Sequence, residues 1–537
     1  MISKFTLLYA GSSQQATKCV MDQLLVRQLS NSLPRAQHVV LEHFETKEET
    51  REDPEWVNAK DYKQIPGPSS FRMLRDQLPG GLLHKTNMHI LERHYRERYG
   101  DIFRINGILG KPDTVFTFNP TDFETVYRNE TIWPVRVGLD SLGHYRLKKR
   151  PDVFQGVAGL VTSQGRAWGD IRNKVNPVMM KVQNIRQNLP AVDNIAQDFL
   201  DRLDSKLDHN TGKLTTDFTE EIKMWAFESV AVVALNTRLG LLARDKPDAN
   251  VLKIVDGMNT FFDKANTYDV SPSFWKYVET PGFKELMKAY DDVTDATKFY
   301  IEKAMEKFKN EQNDEARSVL EKLYRINKNV AVVMAIDMLM AGLDTTSATV
   351  ISVLHFLGQN PEKQEELRKE LFKLLPDPKM PLTEENTKNM PYLRACIKES
   401  LRLKPIANGN FRLAGRDIVL SGYKVPKGVG IYMATMSLSN SDEYFERSAE
   451  FLPERWIKAA KATCPVSQKH NPFVYLPFGF GPRTCIGKRL AELEMETLLV
   501  RLIRNYRVTW VGEKPLEYVN DLILRPAGEM KFKFEKL

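Results

Sequence analysis

The chain has 537 residues, 42% of them hydrophobic and 27% charged, enough for one large domain or two to three ordinary ones and too apolar for wholesale disorder. Its net charge of +8 is spread along the sequence without a long Lys/Arg block, which argues against nucleic-acid binding and suits an acidic protein partner or an anionic membrane surface. The four cysteines (Cys19, Cys396, Cys464 and Cys485) form no CxxC pair and no disulfide ladder, and the histidines include no HExxH, so a reducing compartment is expected and a structural zinc is not.

Residues 1–35 carry Lys4, Lys18, Arg27 and Arg35 against one acid, Asp22, with serines and glutamines between them. That is the composition of a mitochondrial transit peptide; the run FTLLYA is too short for a signal-peptide core or a membrane span. Residues 36–61 read as an acidic linker, and Pro66-Gly67-Pro68 closes off helix and marks entry to a folded body over 62–537. No further linker or repeat follows, which favours one large domain.

Along that body LERHYRERYG reads as a helix stopped by Gly100. Amphipathic runs recur around 168–180, 191–207, 215–238, 284–309, 362–375 and 391–403. Strand signals are fewer: TVFTFN, the alternating DIVLSGYKVPKGVGIYM, and LILRPAGEMKFKFE, which reads as a C-terminal hairpin. Many helices with small segregated sheets predict an α-rich α+β fold. One long helix, Asn329 to Gln359, spans about 45 Å. As a membrane span it would bury Asp337 and Asp344 at about 2.5–3.5 kcal/mol each, so it is expected to cross the core. Cys396 reads as a packed thiol, Cys464 as a loop residue and Cys19 as part of the leader.

The densest signal is YLPFGFGPRTCIGKRLAELEMETLLVRLI, residues 475–503, where Cys485 stands between glycines just before an apolar-periodic helix. A phosphate loop would need GxxxxGK[ST] and a βαβ unit, and a nucleophile would need a nearby base; both are missing, and neither reading explains Phe478 or Arg483. An iron-ligating thiolate explains more. Gly481 and Gly487 let the chain wrap the sulfur, the helix N-terminus favours the anion, Arg483 can reach a cofactor carboxylate, and Phe478 can shield the sulfur from water.

Phe478-x-x-Gly481-x-Arg483-x-Cys485-x-Gly487 resembles the haem-thiolate signature of the cytochromes P-450, and the resemblance makes Cys485 the axial ligand of haem b. Other motifs follow in the order that family requires. AGLDTT, Ala341 to Thr346, resembles the oxygen-binding groove of its long central helix, with Gly342 thinning the helix for dioxygen. Thr345 is expected to turn its hydroxyl to a carbonyl one turn back, and with Asp344 it resembles the family's proton-delivery pair. Glu399 and Arg402 in ESLR and Arg455 in PERW match its buried triad. Trp168 and Arg172, four apart on one helix face, match WxxxR, and Arg412 matches a further propionate-binding arginine.

The resemblance covers about residues 62–537. Arg394 and Lys398 are spaced like the basic pair by which mitochondrial members dock an acidic ferredoxin, and Lys488 and Arg489 add charge nearby. IPGPSSFRMLRDQLPGG and VFQGVAGLVTSQGRAWGDIRNKVNPVMM are similar to insect mitochondrial family 12. This implies a monooxygenase that takes electrons from NADPH through a ferredoxin reductase and ferredoxin. It would lie peripherally on the matrix side of the inner mitochondrial membrane and oxidise a small apolar substrate with O2. Xenobiotic detoxification is favoured, and ecdysteroid or sterol hydroxylation is the alternative. A non-catalytic haem sensor or carrier would keep Cys485 but would not need Asp344 and Thr345. Substrate is expected to touch the 136–165 region, the Ala341 groove, the segment after Pro405 and the turn near Pro526.

Overall fold

The computed structural model describes residues 54–77, 80–81, 88–108, 111–136, 138–243, 248–270, 274–310, 318–457, 471–520 and 522–537. The leader, most of the acidic stretch, Cys19 and Cys464 fall outside the described residues. Residues 54–60 already touch the body: Lys60 pairs in parallel with Tyr423, and the Lys424 ammonium lies 5.8 Å from the Trp56 ring centroid.

Two helices organise the interior, Phe218–Leu235 and the central Lys328–Gln359. Both are apolar all round, so both are buried on nearly every face, as a helix with no polar side must be. Side-chain caps fix their starts: Asp217 accepts from the Thr219 N–H and Asn327 from the Val330 N–H. The most apolar window of the central helix is 78% buried within the protein, which accounts for its composition without a membrane. Its hydroxyls bond back one turn, Thr345 to Ala341 O, Ser347 to Leu343 O, Thr349 to Thr345 O and Ser352 to Ala348 O, so each is satisfied within the helix. The expected amphipathic runs form helices at Gly165–Met179, Leu189–Lys206, Pro281–Asn310, Pro361–Leu374 and Pro391–Leu403. The Ala249–Ala265 helix was not anticipated.

One sheet runs in the order Ile102–Ile105, Thr114–Thr117, Gly430–Met433, Asn410–Leu413, with only the middle pair parallel. Its aromatic residues, Phe103 stacked on Phe116 at 4.9 Å among them, centre a second apolar cluster beside the larger helical one. The C-terminal expectation is corrected. Leu524–Ala527 pairs with Glu517–Asn520, whereas Phe532–Lys536 pairs with Tyr506–Trp510 in another sheet. Gly528, at φ +77°, turns the chain out of the first pairing, and Phe532 and Phe534 follow their rings to Phe218.

Candidate functional site

Cys485 hangs between a glycine turn and the Lys488–Asn505 helix. Gly479 and Gly481 both adopt φ +71°, a left-handed conformation open chiefly to glycine, and the turn they make lets the Cys485 N–H donate to Phe478 O at 2.9 Å. Gly487 is less constrained than the sequence suggested: its φ is −83°, and a Cβ there would stand 3.9 Å from the sulfur, an ordinary contact. The thiol is exposed by area yet enclosed by protein, as expected at the bottom of a recess. Burial raises its pKa, while the N–H groups of Gly487 and Lys488 and the charges of Arg172 and Arg136 pull it back toward the thiolate.

Four guanidiniums gather here, Arg172 and Arg136 acting on that sulfur and Arg412 and Arg483 close to them. Arg412 bonds Glu130 and donates to Phe480 O at 3.3 Å. Arg172 donates to Thr484 O at 2.8 Å, and its Nε is buried without a partner. Arg483 donates to Pro134 O and to Gln164 Oε1, both at 2.8 Å, and its guanidinium lies 3.9 Å from the Trp168 ring centroid. Its Nε and Nη2 are thus engaged, while Nη1 makes a single 3.5 Å contact to Leu160 O, so it offers a ligand charge and a remaining donor. Burial, then the charges of Arg136, Arg412 and Arg172, push the Arg483 pKa down; burial and Arg412 do the same to Arg136. Like charges this close favour an anion between them. A haem, with two carboxylates and an iron that takes a thiolate, fits this donor set.

On the central helix the expected hydrogen bond forms, Thr345 Oγ1 to Ala341 O at 2.7 Å. Ala341 is exposed and Gly342 and Thr345 half-buried amid buried neighbours, so this face opens on a recess. Asp344 points elsewhere: it pairs with Lys223 at 2.8 Å, leaving Oδ2 buried and unpartnered, and Lys223 reaches the exposed Asn259 at 3.2 Å. The expected reason for Gly342 is corrected. A Cβ there would lie 2.9 Å from Val230 Cγ2, so its bareness serves helix–helix approach.

The triad assembles around Glu399, which takes five donors: Arg402 Nε at 2.9 Å and Nη2 at 2.8 Å, Arg455 Nε at 3.0 Å, Trp456 Nε1 at 2.8 Å and the Leu452 N–H at 3.0 Å. On the surface nearby, a groove of about 860 Å³ is lined by all four expected docking cations. They are not equivalent. Arg394 is bound to Glu496 at 2.8 Å and to the carbonyls of Lys388 and Thr387, and Arg489 lies 3.3 Å from Glu492. Lys488 stands 4.0 Å from Glu492, while the exposed Lys398 lies 5.9 Å from the Trp456 ring centroid.

Sequence reasoning missed Arg136, Glu130, Lys223 and Trp456. Trp456 could have been found, since it directly follows Arg455 in PERW. Nothing local marks the other three, which matter only through partners distant in sequence.

A sequence model of the cytochrome P-450 family matches residues 74–534. The chain is 54% identical over 491 residues to the probable mitochondrial cytochrome P-450 12b2 of Drosophila melanogaster, covering 91% of this chain and 92% of the relative. It is 53% identical to the mitochondrial cytochrome P-450 12b1 of Drosophila acanthoptera (89% and 91%) and 43% identical to cytochrome P-450 CYP12A2 of Musca domestica (89% and 92%).

Proposed function

Because this chain belongs to the cytochrome P-450 family and is a monooxygenase, we propose that it inserts one atom of O2 into an apolar small molecule as part of xenobiotic detoxification. Hydroxylation of an ecdysteroid or sterol is the alternative. The cofactor is haem b, whose iron the Cys485 sulfur would hold, with Arg172, Arg412, Arg483, Trp168 and Arg136 around its carboxylates. Electrons come from NADPH through a ferredoxin reductase and a ferredoxin docked on the groove that holds Lys398. The relatives' mitochondrial names and the basic, acid-poor leader favour a matrix location, peripheral on the inner membrane.

The observation that carries the reading is the sulfur itself: a reachable thiol flanked by a helix N-terminus and the charges of Arg172 and Arg136, with Arg412 and Arg483 beside those arginines. When bound, haem supplies the iron chemistry that activates dioxygen. The chain supplies the rest. The N–H groups of Gly487 and Lys488 hold negative charge on the sulfur. The Thr345 hydroxyl orients a proton donor at the open turn of the central helix, while Asp344, turned away from that turn, is tied through Lys223 to the exposed Asn259.

The test is a Cys485→Ala variant beside the wild type. The wild-type haem protein should give a thiolate-type carbon-monoxide spectrum, and the variant should lose it together with all oxygenation. A variant that keeps that spectrum refutes the ligand assignment. A spectral screen of steroids and xenobiotics against the wild type separates the two substrate classes.

A further inference from the structure

Asp337 is the one carboxylate in the apolar first half of the central helix, one turn before Ala341. It forms an ion pair with Arg146 at 2.6 Å, the side chains 7% and 1% exposed. Arg146 also donates to Ala158 O at 2.8 Å, lies 5.0 Å from the Phe154 ring centroid and comes within 3.9 Å of Met340 Sδ, next to the open turn. The Leu160 N–H points at Asp337 Oδ2 at 3.3 Å, while Leu160 O and Ser163 O face Arg483 at 3.5 and 3.2 Å. The 158–164 segment is therefore held from both sides, by the central helix and by the cysteine turn. Gly159 is shaped to the same grip. At φ +86°, a Cβ there would stand 2.4 Å from Arg146 Nη1 and 2.6 Å from Asp337 Oδ2.

An apolar pair of equal volume would fill this site with equal or better stability, because desolvating two charges offsets their attraction. What the ion pair adds is fixed geometry. We propose that Arg146 and Asp337 form a specificity-determining clamp that sets how closely the 158–164 segment lies against the open turn at Ala341, and so the size of ligand admitted there. The clamp rests on the reading of Cys485 as the iron ligand. By that reading, small ligands of the haem iron that enter beside the open turn would measure the space directly.

The experiment titrates purified haem protein with imidazole and with 4-phenylimidazole, following the Soret shift. It compares wild type, Asp337→Asn, Arg146→Met and the double variant. In the variants the ratio of the two dissociation constants should move toward the larger ligand by roughly tenfold, the scale on which apolar pockets sort by size. The double variant removes both charges, so it should regain thermal stability lost in the single variants while keeping the shifted ratio. A ratio unchanged in variants with a normal thiolate spectrum overturns the clamp, as does a double variant whose ratio reverts with its stability. A wild-type protein that shows no thiolate spectrum fails the ligand assignment instead.

Discussion

Two buried charge clusters lie on either side of the cysteine turn, and they are built on opposite principles. Around Glu399 one carboxylate faces Arg402, Arg455, an indole N–H and a backbone N–H, so every lone pair has a donor and the cluster is closed. Around Arg483 the ratio is reversed: Arg136, Arg172 and Arg412 repel it, with Glu130 the carboxylate that opposes them. A closed cluster is scaffold, because nothing remains for a ligand to satisfy. A cluster with surplus charge of one sign is a receptor, because an incoming anion relieves it.

The comparison breaks most visibly at Glu399. Glu399→Gln leaves two buried guanidiniums unmatched and should cost about 3–5 kcal/mol of stability, read by urea denaturation. Loss of less than about 1 kcal/mol would mean the cluster is not closed in the sense argued.

Glu494 sharpens it by supplying a buried carboxyl with no cation paired to it among the described residues. Burial pushes its pKa up to about 8, against the hydroxyls of Ser229 and Thr346. The unfolded chain gives up that proton near pH 4.5 and the folded chain only near 8, so this group's contribution to stability is full in acid and lost as pH rises between those values. The slope approaches about 1.4 kcal/mol per pH unit. Glu494→Gln should remove that slope, which denaturation midpoints from pH 5 to 8 will measure.

The receptor makes the opposite prediction from the scaffold. Arg136→Leu should leave the cofactor-free chain as stable as wild type or more so, since one of four like charges is gone. The same change should speed haem loss to an acceptor protein by about tenfold. If it instead destabilises the cofactor-free chain as Glu399→Gln does, the distinction fails.

The same contrast recurs at the surface on a smaller scale. Arg394 is closed by Glu496, and Lys398 is open. Lys398→Glu should therefore slow ferredoxin-supported reduction several-fold at low salt, with less effect as salt rises. Arg394→Gln should change the rate less and leave its salt dependence unaltered. Stopped-flow reduction at two ionic strengths separates them.

Much of this was legible in the sequence because it depends on residues close together in the chain. The Cys485 turn, the Thr345 back-bond and the Glu399–Arg402 pair each lie within a few residues, so periodicity and spacing report them. Arg136 and Lys223 were invisible because their roles come from neighbours on other elements. Gly342 and the C-terminal strands were misread for a related reason: Val230 and the Tyr506–Trp510 strand decide them, and neither is near in sequence. Arg394 was read as a free cation because its helix face is polar, but Glu496, from the helix that follows the cysteine, claims it.

The hydrogen bond from Arg172 to Thr484 joins residues 312 apart, and that from Arg483 to Pro134 residues 349 apart. Closing loops of that length is slow, and it occurs only once the contacts it brings together can offset the lost chain entropy. During synthesis the cysteine also emerges after nearly every element that surrounds it. A sulfur-ligated absorption band would then appear only when loops of this length have closed. It would report a late stage of folding, and refolding followed at that band should lag behind refolding followed by helix content.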